Sequence, residues 1–374
     1  MKVLVAGDFC PVNRVQEAFS VKDYSALAAI KEIVHNADYS IVNLECPIVT
    51  EPNVIMASKT GSCLKADENT IEALQYAGFN CVTLANNHFR DYGEDGCKST
   101  LKLLRQAYID YVGGGNNLAE AQQVLYNKIG ENTLAIVNVC EHEYSIASSK
   151  SAGSAPLDLI DNYNQITEAR RNADYVLVIV HGGHEHYQLP SLRMKKLYRH
   201  FVDIGADAVV NHHQHCFSGY EYYNGKPIVY GVGNLCFEPT SKLQRMWHEG
   251  YMVILSFDDV ISIQLEPYQQ CLQDPVIELL NEGERSKFDD SIRLLNSIIA
   301  DDELLAKSFD DYVQTRKKWI MRTFVSYHNR YLNALAQRSI IPYPLRKDEI
   351  KIIDNYIICE SHRDVVEHVL LSLR

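Results

Sequence analysis

The sequence predicts an α/β fold, and three observations predict it. Short apolar runs alternate with helix-like segments over about the first 270 residues. Several of these runs are apolar almost throughout, which is typical of strands whose sheet is covered on both faces. The chain has 374 residues, of which 46% are hydrophobic and 22% charged, so it can bury the core of one large domain or two smaller ones.

The elements follow in chain order from the apolar runs and the signals between them. Strands are predicted at 2–7, 39–45, 80–86, 133–139, 174–183, 207–212 and 227–234. Helices are predicted at 23–37, 69–78, 94–107, 161–173 and 191–205. The run 251–268 predicts a hairpin that turns at Asp258 and Asp259 and completes a first domain, residues 1–268.

Residues 269–374 are predicted to form a helical C-terminal region, because the sequence there becomes charged and helix-forming, with a turn at 341–346. One stripe of aromatic residues in this region is interpreted as a helix packing face rather than a ligand site. The stripe consists of Tyr312, Trp319, Phe324, Tyr327 and Tyr331. A protein partner could dock on this region, but the sequence alone assigns it no chemistry.

The bulk charge and the cysteines exclude several classes of protein. A net charge of −12 argues against a surface built to bind nucleic acid or anionic lipid. The ten cysteines are scattered without a C-x-x-C pair, so neither a zinc ribbon nor a disulfide framework is expected. The apolar run at 2–7 is too short for a signal peptide or an anchor. We therefore expect a reduced, cytoplasmic chain without direct membrane insertion.

Polar residues follow the predicted strands at the point where each strand ends. In an open α/β sheet, ligands bind beyond the carboxyl ends of the strands, so these residues are candidates for one site. They are Asp8 after the first strand, Glu45 after the second, Asn87, His88 and Asp91 after the third, His181, His184 and Glu185 after the fifth, and His212, His213 and His215 after the sixth.

A set of Asp, Glu, Asn and His ligands without cysteine suits Zn, Mn or Fe at a catalytic centre. Alternate residues of an extended segment share a face, so His213 and His215 are expected to reach one centre while His212 faces elsewhere. Glu45 is the natural bridge between two ions. His88 is the candidate proton donor and Asp91 its orienting partner.

Five segments together resemble the CapA-type proteins of capsule and poly-gamma-glutamate biosynthesis, which are relatives of the calcineurin-like metallophosphoesterases. The segments are 7-GDFCPVNR-14, 43-NLECPIV-49, 84-LANNHFRDYGEDG-96, 181-HGGHE-185 and 211-NHHQHCFSGYEYYNGKPIVYGVGN-234. The resemblance covers about residues 1 to 265. It implies a four-layer αββα sandwich with a metal site at the strand ends.

The resemblance also implies a role for each residue. Asp8, Glu45 and His215 would serve one metal, and Glu45, Asn87, His181 and His213 the second. His88 matches the general acid with Asp91 as companion, Glu185 is a further catalytic candidate, and Arg14, His184 and His212 are candidates for binding an anionic substrate. Cys10 stands where the phosphoesterase pattern has a ligand histidine. The sequence therefore leaves open whether one ion, two ions or none is bound.

Three functional hypotheses remain open at this stage. The first is a metal-dependent hydrolase acting on an anionic phosphate, peptide or polyglutamate-type substrate. The second is a noncatalytic component of a polymer-assembly complex that uses its pocket to bind a carboxylated chain. The third is a metal-independent acid-base enzyme acting at a peptide α-carbon, for which His88, Asp91 and Glu185 would suffice.

Overall fold

The structure is a computed structural model that describes residues 1–59, 61–239, 245–324, 331–332, 335, 340 and 346–373. Most of the predicted turn at 341–346 and Tyr327 lie outside the described residues, as do the side chains of Trp319 and Phe324. Tyr331 is 65% exposed, whereas the ring of Tyr312 stacks on Tyr187 with 4.4 Å between ring centroids. The predicted aromatic packing face is thus supported at Tyr312.

The first sheet contains eight strands and is parallel on one side and antiparallel on the other. Seven of them lie in the order β16-β15-β14-β1-β2-β3-β4, and β13 pairs with the end of β1. The strands are β1 (Lys2–Phe9), β2 (Tyr39–Leu44), β3 (Cys81–Thr83), β4 (Asp110–Val112), β13 (Asn234–Cys236), β14 (Glu249–Ser256), β15 (Ser262–Gln270) and β16 (Ile277–Leu279). The predicted hairpin is confirmed as the antiparallel pair β14 and β15.

The second sheet has six strands in the order β11-β12-β10-β9-β7-β6. They are β6 (Leu125–Ile129), β7 (Asn132–Cys140), β9 (Tyr175–His181), β10 (Ala208–His212), β11 (Tyr220–Tyr223) and β12 (Lys226–Val229). The four central strands run parallel, and their apolar residues are buried on both faces. The short strands β5 (Gly114–Gly115) and β8 (Gly153–Ser154) pair separately.

Helices cover the outer face of each sheet. Those on the first sheet are α1 (Arg14–Ser20), α2 (Lys31–His35), α3 (Asn69–Ala77) and α4 (Gly93–Gln106), with a 3-10 helix at Ser25–Ile30. On the second sheet lie α6 (Leu159–Asn172) and α7 (Leu192–Asp203), and the short α5 (Leu118–Ala121) lies near β5. A further 3-10 helix, Arg245–His248, precedes β14. The predicted four-layer αββα sandwich is confirmed.

The C-terminal region adds α8 (Glu282–Ala300), α9 (Asp302–Phe324), α10 (Lys347–Ile358) and α11 (Glu360–Leu371). Its predicted helices are confirmed, but strand β16 lies inside the segment predicted to be helical, because Tyr268 and Gln270 pair with it. The boundary between domains at residue 268 stays a prediction. Within the ranges described above, none of the helices combines the length and the apolar character that a membrane crossing requires.

Candidate metal centre

The ends of five strands from both sheets meet at one place. Asp8 lies near the end of β1, Glu45 follows β2, Asn87 follows β3, His181 ends β9, and His213 and His215 follow β10. Each of these six side chains is buried. The structure therefore brings together all six residues that the sequence predicted as metal ligands.

The two histidines after β10 are oriented by a left-handed backbone conformation. That strand ends at His212, and both His213 (φ 90°) and His215 (φ 54°) adopt positive φ, which is energetically unfavourable for residues other than glycine. His213 and His215 do reach one place as predicted, but the predicted reason, an extended segment whose alternate residues share a face, is wrong. A strained turn brings both rings to the centre, and such strain is concentrated at functional sites.

One group of potential ligands consists of Asp8, Glu45 and His215, which offer ligand atoms within 4.8 Å of one another. The Nδ1 atom of His215 lies 3.4 Å from Asp8 Oδ2, and its Nε2 atom lies 3.7 Å from Glu45 Oε1. The ring is held from behind by Asn234, whose Oδ1 is 2.9 Å from Nδ1. It also lies 4.7 Å from the ring of Trp247.

A second group consists of Glu45, His181 and His213. His181 Nε2 lies 3.1 Å from His213 Nδ1, 3.0 Å from Asn87 Oδ1 and 3.5 Å from Glu45 Oε1. Atoms that each bind one ion at about 2.1 Å are roughly 3.0–3.4 Å apart in tetrahedral or octahedral arrangements. The spacing of these nitrogen and oxygen atoms therefore fits a divalent cation.

Glu45 belongs to both groups and is the least compensated carboxylate of the site. It is fully buried, and neither of its oxygens has a hydrogen-bond partner among the described residues. Burial, and then the charge of Asp8, raise the pKa of Glu45 well above its ordinary value. A buried carboxylate without partners costs several kcal/mol, so a cation at this point would stabilise the arrangement.

Glu185, a predicted catalytic residue, lies at the open side of the centre. It is exposed, and it forms a third group of potential ligands with His213 and His215. Gly182 and Gly183 carry the chain from His181 towards it. A Cβ at Gly182 would lie 2.8 Å from the side chain of Glu141, and Gly183 has φ 106°, so both positions favour glycine.

Asn43 is a supporting residue to which sequence reasoning assigned no role. Its Nδ2 atom donates to Asp8 Oδ1 at 2.8 Å and lies 3.3 Å from His181 Nδ1. Burial would raise the pKa of Asp8, but the hydrogen bond from His215 and the charges of the surrounding histidines outweigh it and lower this pKa. The sequence feature that could have identified Asn43 is its position in the segment 43-NLE. For Asn234 the corresponding feature is its position directly after the GVG run.

His88 and Asp91 form the predicted pair at the edge of the centre. His88 Nδ1 lies 2.6 Å from Asp91 Oδ2, which leaves Nε2 as the ring nitrogen available for proton exchange. Lys59, which the sequence did not indicate, forms an ion pair with Asp91 and lies 3.2 Å from His88 Nδ1. Burial and the charge of Lys59 lower the pKa of His88.

Cys10 lies inside the helix-covered core rather than beside the cavity. Its backbone N–H donates to Cys236 O at 2.8 Å, and its side chain is fully buried. Burial and the neighbouring Cys46 raise the pKa of its thiol well above the ordinary value. The thiol therefore keeps its proton where the phosphoesterase pattern has a histidine.

Two of the predicted substrate-binding residues do not line the cavity. The backbone N–H and the Nε atom of Arg14 both donate to the carboxylate of Glu238. The ring of His212 points to the first sheet, with Nε2 2.8 Å from Ala6 O. A guanidinium that is already paired, and an imidazole buried between the sheets, are poorly placed to bind an anion.

His184, the third such residue, does line the cavity. Burial lowers its pKa to about 3, so the ring is neutral. Its Nε2 atom has no hydrogen-bond partner among the described residues, and its ring packs 5.1 Å from Phe309 and 5.8 Å from Tyr312 of α9.

The C-terminal helices form one wall of a cavity of about 870 Å³ above the centre. The opposite side is formed by Asn87, His88, Glu185 and His215. The helical wall consists of Tyr312, Arg316, Ile352, Asn355, Tyr356, His362 and Val365. Sequence reasoning missed this contribution because these residues lie far along the chain from every strand-end motif.

The model of one protein family, described as "Bacterial capsule synthesis protein PGA_cap", matches residues 2–239. This match contains every strand-end ligand described above. The chain belongs to this family. The resemblance to CapA-type proteins is thereby confirmed.

Relatives within the capsule synthesis family match the chain over part of its length. It is 34% identical over 217 residues to "Capsule biosynthesis protein CapA" of Bacillus anthracis, covering 56% of this chain and 53% of that protein. It is 32% identical over 212 residues to "PGA biosynthesis protein CapA" of Bacillus subtilis strain 168, covering 56% of each. The chain thus spans about half the length of the curated relatives it matches.

Among solved structures, a phosphatase of Mycoplasma pneumoniae is similar at 14% sequence identity with a TM-score of 0.45. The alignment covers 78% of this chain and 99% of that structure.

Proposed function

We propose that this capsule synthesis family member is a metal-dependent hydrolase that acts on an anionic phosphate, peptide or polyglutamate-type substrate. The observation that carries the proposal is Glu45. Its two oxygens are fully buried without hydrogen-bond partners among the described residues, and this carboxylate belongs to two groups of potential ligands. Native proteins rarely leave such groups unpaired, and a shared pair of divalent cations would satisfy this carboxylate.

The ligand set would be Asp8, Glu45 and His215 for one cation, and Glu45, Asn87, His181 and His213 for the other. Carboxylate, amide and imidazole ligands suit Mn, Fe or Zn. Divalent cations at these positions would supply Lewis-acid polarisation of the scissile group and would stabilise the negative charge of the transition state.

The chain itself would supply the proton transfer. Asp91 fixes the ring of His88 through Nδ1, and Lys59 holds Asp91 in place through its own ion pair. His88 lines the cavity, so its Nε2 atom can exchange a proton with a leaving group bound there. A held and partly buried imidazole of this kind contributes about 10²–10⁴-fold to a hydrolysis rate.

The walls of the cavity are close to charge balance before any cation binds. Among the described residues, and apart from the proposed ligands and the histidines, the cationic side chains are Lys59, Lys65 and Arg316, and the carboxylates are Glu143, Glu185 and Glu238. Glu238 is already paired with Arg14, and Lys59 with Asp91. Bound divalent cations would add positive charge to this near balance and would favour a phosphate or carboxylate.

The test is turnover of a phosphomonoester, a phosphodiester and a γ-glutamyl peptide by protein that has been stripped of metal and reloaded with Mn, Fe or Zn. We expect hydrolysis of at least one substrate to require metal and to fall about 10²–10⁴-fold in His88→Ala. His200→Ala, which removes an exposed histidine at the end of α7, should leave the rate unchanged.

Two outcomes would overturn the proposal. Turnover that survives metal removal would favour metal-independent acid-base chemistry. Binding of a polyglutamate chain with unchanged affinity in His88→Ala, and without turnover of any substrate, would favour a noncatalytic component.

A further inference from the structure

Three residues outside the strand-end centre meet at the seam between the sandwich and the C-terminal helices. Glu143 follows β7, Cys359 lies between α10 and α11, and His362 is in the first turn of α11. Each offers one potential ligand atom, and these atoms lie within 4.8 Å of one another. Cys359 is 1% exposed and the other two residues are half-buried.

The role of Cys359 is not explained by helix capping. It is the N-cap residue of α11, and its side chain makes no capping hydrogen bond to the described helix. Ser, Thr, Asn and Asp are strongly preferred at such positions because their oxygens accept hydrogen bonds from the first turn. The thiol is thus placed beside an imidazole and a carboxylate without serving the helix.

The surroundings of this thiol are negatively charged. Burial, and then the charges of Glu143 and Glu141, raise the pKa of the Cys359 thiol well above its ordinary value. Glu141 is paired with Arg193, and Glu360 with His142. Glu143 Oε1 lies 3.9 Å from the Nε2 atom of His213. A cation at the seam would be attracted to this carboxylate.

Two contacts hold the ring of His362. The Nδ2 atom of Asn355 lies 3.1 Å from His362 Nδ1. The ring of His362 is further fixed by an edge contact with Tyr356 at 5.6 Å.

We propose that Glu143, Cys359 and His362 bind a zinc ion that joins the C-terminal helices to the strand-end centre. One thiolate, one imidazole and one carboxylate form a borderline ligand set that suits Zn²⁺ better than Mn²⁺. Three protein ligands leave a fourth tetrahedral position open towards the cavity, which His362 and Glu143 both line. On binding, the thiol loses its proton to solvent and its sulfur ligates the cation.

Cobalt substitution tests this site because a Co²⁺ ion bound by a thiolate shows a near-ultraviolet sulfur-to-metal charge-transfer band. We expect the band in the full chain loaded with Co²⁺. The variant Cys359→Ser should lose both the band and about one metal ion per chain. Serine is a preferred N-cap residue, so this variant should keep α11 folded. Cys63→Ser is the matched control, because Cys63 also lines the cavity, and it should keep the band.

Further variants separate this site from the strand-end centre. His181→Ala should lose metal from the centre and keep the cobalt band, whatever the outcome for hydrolysis. His362→Gln should weaken cobalt binding at the seam by more than about tenfold, measured by titrating the band. The inference is overturned if no sulfur band forms in the full chain at saturating Co²⁺, or if the band persists in Cys359→Ser.

Discussion

The strand-end centre and the C-terminal helical wall face the same cavity, but they are built in opposite ways. In the centre, Glu45 is buried without a hydrogen-bond partner among the described residues, and histidine nitrogens converge on it. Where α11 of the wall meets α7, by contrast, charges are paired: Arg193 Nε lies 2.5 Å from Asp364 Oδ2, and its NH2 lies 2.5 Å from Glu141 Oε1. Ser361 also donates to Glu141.

The difference shows on what the stability of each region depends. The contact of α11 with α7 pairs its charges, and Glu141 also accepts from Gly183 N beside the centre. The centre holds donor atoms together in a strained loop, with an uncompensated carboxylate between them. Its free energy is therefore expected to depend on bound cations, and that of the wall on its ion pairs.

The largest expected effect is the loss of metal binding in Glu45→Gln. Because Glu45 serves both ligand groups, this variant should lose metal from both, and with it hydrolysis. In the parent protein, metal at 100 times its Kd should stabilise the fold by about 2.7 kcal/mol, which a thermal scan detects. Glu238→Gln is the control, since that buried carboxylate is paired with Arg14. If metal still stabilises Glu45→Gln by the same amount in the thermal scan, Glu45 is not a metal ligand.

The second largest expected effect is destabilisation of the fold by Arg193→Ala, which removes the ion pairs between α7 and α11. Removing one partner of a buried ion pair leaves Glu141 uncompensated, so denaturant unfolding should show a loss of about 3–5 kcal/mol. Arg293→Ala removes a 69% exposed arginine on α8 and should cost less than about 1 kcal/mol. The contrast between wall and centre fails if Arg193→Ala abolishes metal binding in protein that remains folded.

A smaller effect is expected at the layer behind the ligands. Asn234→Ala removes the amide that orients His215, so metal affinity should fall by about 10–100-fold while the ligands stay in place. A metal titration measures the change, and excess metal should restore full occupancy. Failure of excess metal to do so would indicate that Asn234 maintains the fold instead.

The fold and the meeting of the candidate ligands at one place could be predicted because each signal is local. Asp8, Glu45 and His181 directly follow apolar runs, and parallel strands carry their ends to the same edge. The strained turn at His213 and His215 could not be read from residue types, because positive φ is imposed by the surrounding structure.

The other misses arise from tertiary contacts. Lys59 and His362 lie in segments without strand-end signals, and only packing of distant parts of the chain brings them to the cavity. Glu143 follows the strand predicted at 133–139, but it lies four residues beyond the predicted end. Arg14 was assigned to substrate from a motif, yet its partner Glu238 lies 224 residues away in the sequence. Sequence spacing says nothing about such a pairing.

The most direct test of the central claim is the metal content of the purified chain, prepared without chelator and reloaded with Mn, Fe or Zn, beside His213→Ala and the exposed control His200→Ala. The account predicts bound divalent metal in the parent chain and in His200→Ala, with metal at the strand-end centre reduced in His213→Ala. Equal metal content in all three proteins, or no metal in any of them after reloading, would contradict it.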